Sequence, residues 1–272
     1  MWRWIKLISL IFLLFSCEEA IVMQLEEGNS LLVVEGILND QEESTDIQIT
    51  RSSSFYNKDG FEKISGAFLQ IITPEDEKLQ GVELSPGLYQ CSGINIKHGS
   101  RYLLEINING EWLHGSVKIP EPVQIVELIQ EDSKQYGSNI KHITVVFDDP
   151  PEMKNYYRVK MYRNHTHDLD EYVLIDDQVA PGGKMIVPFY HQKFFPGDSV
   201  QVELWNLAPE TYQYFKVLKK AIGEASGGGA VGNPPSNMEG NCLGYFGAYA
   251  ADKKDALITG NLKCLKFNAK GK

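Results

Sequence analysis

The stretch His165-Thr166-His167-Asp168-Leu169-Asp170 is the first place where residue types and spacing point to chemistry. Alternate residues of a strand point to one side, so two histidines spaced this way can share a metal ion. The signature H-x-H-x-D-H needs aspartate at position 169, where leucine stands, and the flanking sequence lacks the helix–strand alternation such a centre is built on. The stretch therefore reads as a polar hairpin tip, and no metal and no cofactor are expected. Gly227-x-Gly229-x-x-Gly232 matches a dinucleotide fingerprint by letter. That mechanism needs a strand before the loop and a helix after it, so that phosphate meets a helix N-terminus. Here a helical pattern precedes the glycines and Pro234-Pro235 follows them. No G-x-S-x-G, H-E-x-x-H, phosphate-loop or EF-hand motif is present. The chain is expected to be no enzyme. A third, weaker reading is a hydrolase of unrecognised type using scattered carboxylates.

Chemistry of another kind is legible at the start. Arg3 and Lys6 precede the apolar run Leu7–Phe15, about half the ~20 residues a transmembrane helix needs. The run ends in Leu14-Phe15-Ser16-Cys17, a large apolar residue, a small one and then cysteine. This resembles a bacterial lipobox. It implies a signal peptide over residues 1–16, cleavage before Cys17 and fatty acylation of Cys17, with several acyl chains giving stable anchoring. The partner so implied is the outer membrane. Glu18 and Glu19 follow and resemble a lipoprotein surface-export signal, so the cell surface is expected, with the periplasmic face as the alternative. Asp198-Ser199-Val200 resembles a bacterial O-glycosylation site at Ser199.

The full chain of 272 residues carries 26 basic and 36 acidic side chains. Losing Arg3 and Lys6 leaves 24 basic against the same 36 acidic, a formal charge of −12. An acidic chain without a basic cluster excludes nucleic acid as the partner. With Cys17 acylated, Cys91, Cys242 and Cys264 remain in an oxidising compartment. Cys242 and Cys264, nearer in sequence, are candidates for a disulfide; three free thiols are the alternative.

The elements that must position these residues are mostly strands. Residues 17–29 are an acidic tether. Leu31–Ile37 is apolar and β-branched, Ile47 and Ile49 alternate with polar neighbours, and Tyr102, Leu104, Ile106 and Ile108 share one face before the Asn109-Gly110 hairpin turn. Trp112–Ile119 is the returning strand. Pro120-Glu121-Pro122 is a stiff boundary. Beyond it, strands are predicted over 124–131, 142–148, 156–163, 171–176, 184–190 and 198–206. Tyr212, Phe215, Leu218 and Ile222 recur at helical spacing, predicting an amphipathic helix over 211–225, with Pro209 suited to its first turn. The fold class predicted is all-β: two tandem immunoglobulin-like β-sandwich domains, 30–120 and 123–272, with one C-terminal helix packed on the second.

Residues 233–249 hold a rigid Pro234-Pro235 entry, Asn237, Gly244 and the aromatics Tyr245, Phe246 and Tyr249. The expectation is a loop and strand in close backbone contact, chiefly structural, with Tyr245 or Tyr249 buried in the second domain and Phe246 facing the other way. The lipobox, "LLVVEGIL" with "DIQITRS", "SPGLYQ", "YLLEI", "NYYRV", the Tyr-rich helix and "PPSN…GN…LGYFGAY" together resemble the DUF4249 family of Bacteroidota lipoproteins over nearly all of the mature chain. The resemblance implies no established activity. By association it implies an accessory role beside a TonB-dependent receptor, in nutrient uptake or receptor assembly. The alternative is a stand-alone glycan- or peptide-binding surface module.

Overall fold

The computed structural model describes residues 30–52, 60–133, 137–151, 153–164, 166, 172–179, 182–225 and 234–259. The chain is mainly β. In the first half run β1 (Leu32–Asn39), β2 (Ser44–Arg51), β3 (Glu62–Lys63), β4 (Phe68–Ile72), β5 (Lys78–Gln80), β6 (Val82–Ser85), β7 (Leu88–Ser92), β8 (Arg101–Ile108) and β9 (Glu111–Lys118). There follow β10 (Ile125–Ser133), β11 (Gly137–Asp148), β12 (Tyr156–Arg163), β13 (Tyr172–Asp176), β14 (Lys184–Phe194), β15 (Ser199–Leu207), the helix α1 (Pro209–Ala225), β16 (Met238–Glu239) and β17 (Cys242–Leu257).

Among the described residues these strands form three sheets. A nine-stranded sheet runs β13-β12-β15-β17-β1-β2-β7-β6, with β3 attached to β2. A five-stranded sheet runs β16-β9-β8-β4-β5, and a three-stranded sheet runs β10-β11-β14. Strict alternation in the sequence sets which side chains go inward. Tyr102, Leu104 and Ile106 of β8 join Val34, Ile47, Ile49, Leu69, Ile71 and Phe246 in one apolar core. A second core gathers Val145, Phe147, Tyr157, Val159, Val187, Val202 and Leu204. The large sheet is thus the common wall of two sandwiches, closed at one end by the five-stranded sheet and at the other by the three-stranded one.

The expected division into 30–120 and 123–272 does not separate the strands. β17 is 16 residues long, or roughly 50 Å at the usual ~3.3 Å per residue. Its residues 242–249 pair in parallel with β1, and residues 249–257 pair antiparallel with β15. Met238, Phe246 and Ala248 therefore lie in the first core although they follow β10–β15 in the chain. A strand that long crosses both sandwiches, and the turn signals on which a sequence boundary rests are blind to pairing between residues 32 and 242.

The helix begins at Pro209, where proline's fixed φ and missing N–H suit the first turn. It lies on the outer face of the nine-stranded sheet. Tyr212, Tyr214 and Phe215 pack there with Ile37, Tyr156, Trp205, Tyr245 and Tyr249, which come from the adjoining strands β1, β12, β15 and β17. Its first turn is tied in place: the buried Thr211 hydroxyl accepts a hydrogen bond from Ala248 N at 2.9 Å, and Ala208 N donates to Ala248 O at 2.9 Å.

Candidate binding surfaces

The C-terminal segment is a structural clasp. The Asn237 side chain stands in for a strand residue. Its Oδ1 accepts from Phe246 N at 2.9 Å, and its Nδ2 donates to Phe246 O at 2.8 Å and to Ser116 O at 3.3 Å. One amide thus links β9 to β17 where the Pro234-Pro235 entry arrives. Gly244 has φ +105, and a Cβ there would sit 1.8 Å from Val34 O. Only glycine permits β1 and β17 to approach at this point. Phe246 is fully buried in the first core, while Tyr245 and Tyr249 face the helix. Tyr245 stacks on Tyr214 at 3.9 Å and Tyr249 on Trp205 at 3.8 Å. Neighbouring side chains alternate between the two faces as the sequence implies.

The outer face of the five-stranded sheet is different, because it presents aromatic surface to solvent. Inward residues Leu113 and Val117 of β9 alternate with outward Trp112, His114 and Ser116; on β8, Leu103 and Glu105 point outward. Trp112 is 48% exposed, Leu103 40% and Phe68 of β4 39%. Phe68 meets Trp112 edge to face at 6.4 Å, and the His114 ring runs nearly parallel to Trp112, 14° apart. Glu105 accepts a hydrogen bond from Gln70 Nε2 at 2.7 Å. Beside the rings lies an open recess of about 410 Å³ lined by Leu103, Glu105, His114, Ser116, Asn237 and Glu239. Apart from Asn237, these residues were not singled out from the sequence. The signal was present: once 113, 117 and 119 are read as the inward face, an aromatic pair at 112 and 114 must face out.

A second recess, of about 510 Å³, opens over Asp40–Glu43, Gly93–Ile96 and His98. His98 Nε2 sits 3.0 Å from Asp40 Oδ2, and Asp40 Oδ1 accepts from Ala251 N at 2.9 Å. This carboxylate is committed to holding β17, which leaves the recess little free chemistry. Among the described residues no three His, Cys, Asp or Glu side chains converge as a metal-holding group.

Of the residues singled out from sequence, Cys17, Cys264, His165, His167 and the glycines at 227, 229 and 232 lie outside the described residues. Cys242 is a half-buried free thiol whose pKa is raised by burial. Cys91 is a fully buried free thiol pushed up by burial to about 11. Ser199 opens β15, and its N–H donates to Asn164 Oδ1 at 2.9 Å. Its hydroxyl lies 3.4 Å from the same oxygen.

Two sandwiches on one shared sheet, with exposed aromatic rings on a flanking face, define a β-sandwich protein. The family follows from the sequence: residues 18–255 match the model described as "Domain of unknown function (DUF4249)", and the chain belongs to that family. None of the curated proteins matches it. Among solved structures, similar chains include a two-domain fibronectin type-III segment from chicken tenascin, at 13% identity and TM-score 0.23, covering 65% of this chain and 91% of that one. The FN1–FN3 domains of chicken CNTN1 match at 12% identity and TM-score 0.29, covering 66% of this chain and 61% of that one. A DUF4785 family protein from Legionella pneumophila matches at 8% identity and TM-score 0.25, covering 64% and 52%.

Proposed function

We propose that the protein is a non-enzymatic binding subunit, held to the outer membrane through lipid on Cys17, that docks on a TonB-dependent receptor through the outer face of its five-stranded sheet. The observation that carries the docking face is the exposure of Phe68, Leu103 and Trp112 together on one flat sheet. Tryptophan is enriched among the residues that carry binding energy, and apolar rings within a polar rim are how such patches are built. Here the rim is Glu105, His114 and Glu239. The tether of residues 17–29 would let the body reach a neighbour from its anchor.

The test is native purification in mild detergent with identification of the proteins that come along. A TonB-dependent receptor is expected with the wild-type chain. It should be lost from the F68A/W112A double variant, whose melting temperature stays at the wild-type value. A variant that still brings the receptor down refutes the docking face; a wild-type chain that brings down no receptor refutes the partner.

A second reading is a glycan-binding surface. It is favoured by the recess beside Trp112 and His114, where a sugar ring stacked on the indole would find Glu105 and Glu239 for its hydroxyls. Retention of the wild-type chain, and not of W112A, in gels containing a soluble polysaccharide would select it.

A further inference from the structure

The recess on the exposed aromatic face carries a charge pattern that its rings do not explain. Glu239 of β16, His114 of β9, Glu105 of β8 and Gln70 of β4 stand opposite one another in register, one row across four strands. Side chains so opposed on one face of a sheet have Cβ atoms about 5 Å apart. The two glutamates flank His114, with their backbones about 10 Å apart, two strand spacings. Trp112, two residues before His114, lies diagonal to both glutamates, and its ring is tilted only 14° from the imidazole.

Neither carboxylate has a cation. Glu105 accepts from the neutral amide of Gln70, at 2.7 Å. Glu239 is exposed and has no hydrogen bond or ion pair among the described residues. The basic pair on this face, Arg101 and Lys118, oppose each other four residues along their strands from Glu105 and His114, which is about 13 Å away. Arg101 is turned to Ser116, donating from Nη1 to its hydroxyl at 3.0 Å. Two like charges thus border an open volume of about 410 Å³, and a cation between them relieves their repulsion. The row does not converge on a point as a metal centre does. Its walls instead suit a cation on an apolar stem: the half-exposed Leu103 and Trp112 cover methylenes while the carboxylates hold the head. A planar guanidinium lies flat on an indole and spreads five N–H donors toward two carboxylates, which a compact ammonium does not.

We infer that this recess takes an arginine side chain of the docking partner, its guanidinium on Trp112 and between Glu105 and Glu239. The inference rests on the docking face proposed above and names what the partner must present there: an arginine bordered by apolar surface.

Two measurements test it. Full-length protein in mild detergent, at fixed ionic strength, is titrated with a blocked glycine–arginine–glycine peptide, with its lysine counterpart and with its neutral citrulline counterpart, while tryptophan fluorescence is followed. The arginine peptide is expected to give a saturable change, lysine a weaker one and citrulline none, and the change should be absent in W112F. E105Q/E239Q removes both charges while residue 105 still accepts from Gln70, so its melting temperature should stay at the wild-type value. It should weaken the arginine peptide at least tenfold and lose most of the receptor in the native purification. Should the double variant fail to fold, E239Q alone, at an exposed and unpartnered position, should still weaken the peptide severalfold. The inference is overturned if the arginine peptide gives no saturable change, if citrulline binds as well as arginine, or if E105Q/E239Q folds and binds the peptide as its parent does. A soluble polysaccharide that saturates the Trp112 signal equally in wild type and E105Q/E239Q, where the arginine peptide gives none, would make the face a glycan site instead. The two readings fail separately. A wild-type chain that binds the arginine peptide but brings down no receptor refutes the partner and upholds the arginine site. A receptor retained by E105Q/E239Q and lost by F68A/W112A upholds the docking face and refutes the arginine site.

Discussion

Asn237 and Phe246 are joined like opposed residues of a ladder, although one of them contributes only its side chain: the amide of Asn237 both accepts from and donates to the Phe246 backbone. A backbone N–H and C=O that would otherwise lack partners at the edge of the first core are satisfied by one side chain. Asn237→Ala should leave both unpaired. The expected cost is about 2–3 kcal/mol, from unsatisfied donors and acceptors in a part-buried site. Asn237→Asp, which keeps the acceptor and sets a charge against two carbonyls, should cost at least as much. Urea denaturation of the two variants checks this.

Gly244 is the partner of Val34 in the parallel β1–β17 ladder. Gly244→Ala meets both a positive φ and the Val34 carbonyl at 1.8 Å. Loss of soluble, folded protein is expected. Gly93→Ala is the control: it also has positive φ but open space around it. It should cost about 1 kcal/mol, the penalty of the left-handed region alone. If the two variants melt alike, the close approach is not what holds Gly244.

Phe246 and Trp112 should separate stability from binding. Phe246→Ala empties a fully buried ring site and should cost about 3 kcal/mol or more. Trp112→Ala, half exposed on an outer face, should stay within about 0.5 kcal/mol of wild type. Thermal melts decide it. A Phe246→Ala protein that melts like wild type would return the C-terminal segment to the list of docking surfaces.

Stability should fall on the alkaline side. Burial raises the Cys91 thiol from its ordinary value of 9.0 to about 11, so between those values the unfolded chain loses its proton first. The native state then binds more protons than the unfolded state, and unfolding becomes easier as pH rises. The contribution is intact below about pH 9 and gone above about pH 11. Burial also raises Tyr162 to about 12 and moves Tyr157 and Tyr214 the same way, extending the decline. Denaturation midpoints from pH 8 to 11 test this. In Cys91→Val the slope between pH 9 and 11 should be shallower, and an unchanged slope would assign it to the tyrosines alone.

Cys17→Ala should release the protein from membranes. Fractionation and mass analysis of the intact chain give the answer: a variant that still sediments with membranes and carries lipid would overturn the lipobox reading.

Strand identity was legible wherever one face is buried. The expected 156–163 strand coincides with β12, and Pro209 marked the helix start, because alternation and proline stereochemistry are local. Pairing between distant strands was not legible. Nothing in "LVVEGILN" says that its partner begins at Cys242, since the register is set by shape across two cores. The contact of Arg158 with Tyr172, Trp205 and Phe215 was not legible either, because those rings come from β13, β15 and α1. Trp112 and His114 were readable by alternation but carried no motif.

The path of β17 also fixes an order of events. A chain made from its N-terminus has β1 and β15 complete long before their shared neighbour exists, and the β1–β17 pairing must close over the 210 positions from 32 to 242. Contacts that distant are slow to form, because chain entropy is lost before they repay it. Until β17 arrives, both sandwiches present a bare strand edge, of the kind that invites pairing with other chains. β17 is therefore the strand that removes the hazard. A chain cut short before residue 242 is left with two open edges rather than one missing end, and aggregation, rather than a smaller stable domain, is the outcome the topology dictates.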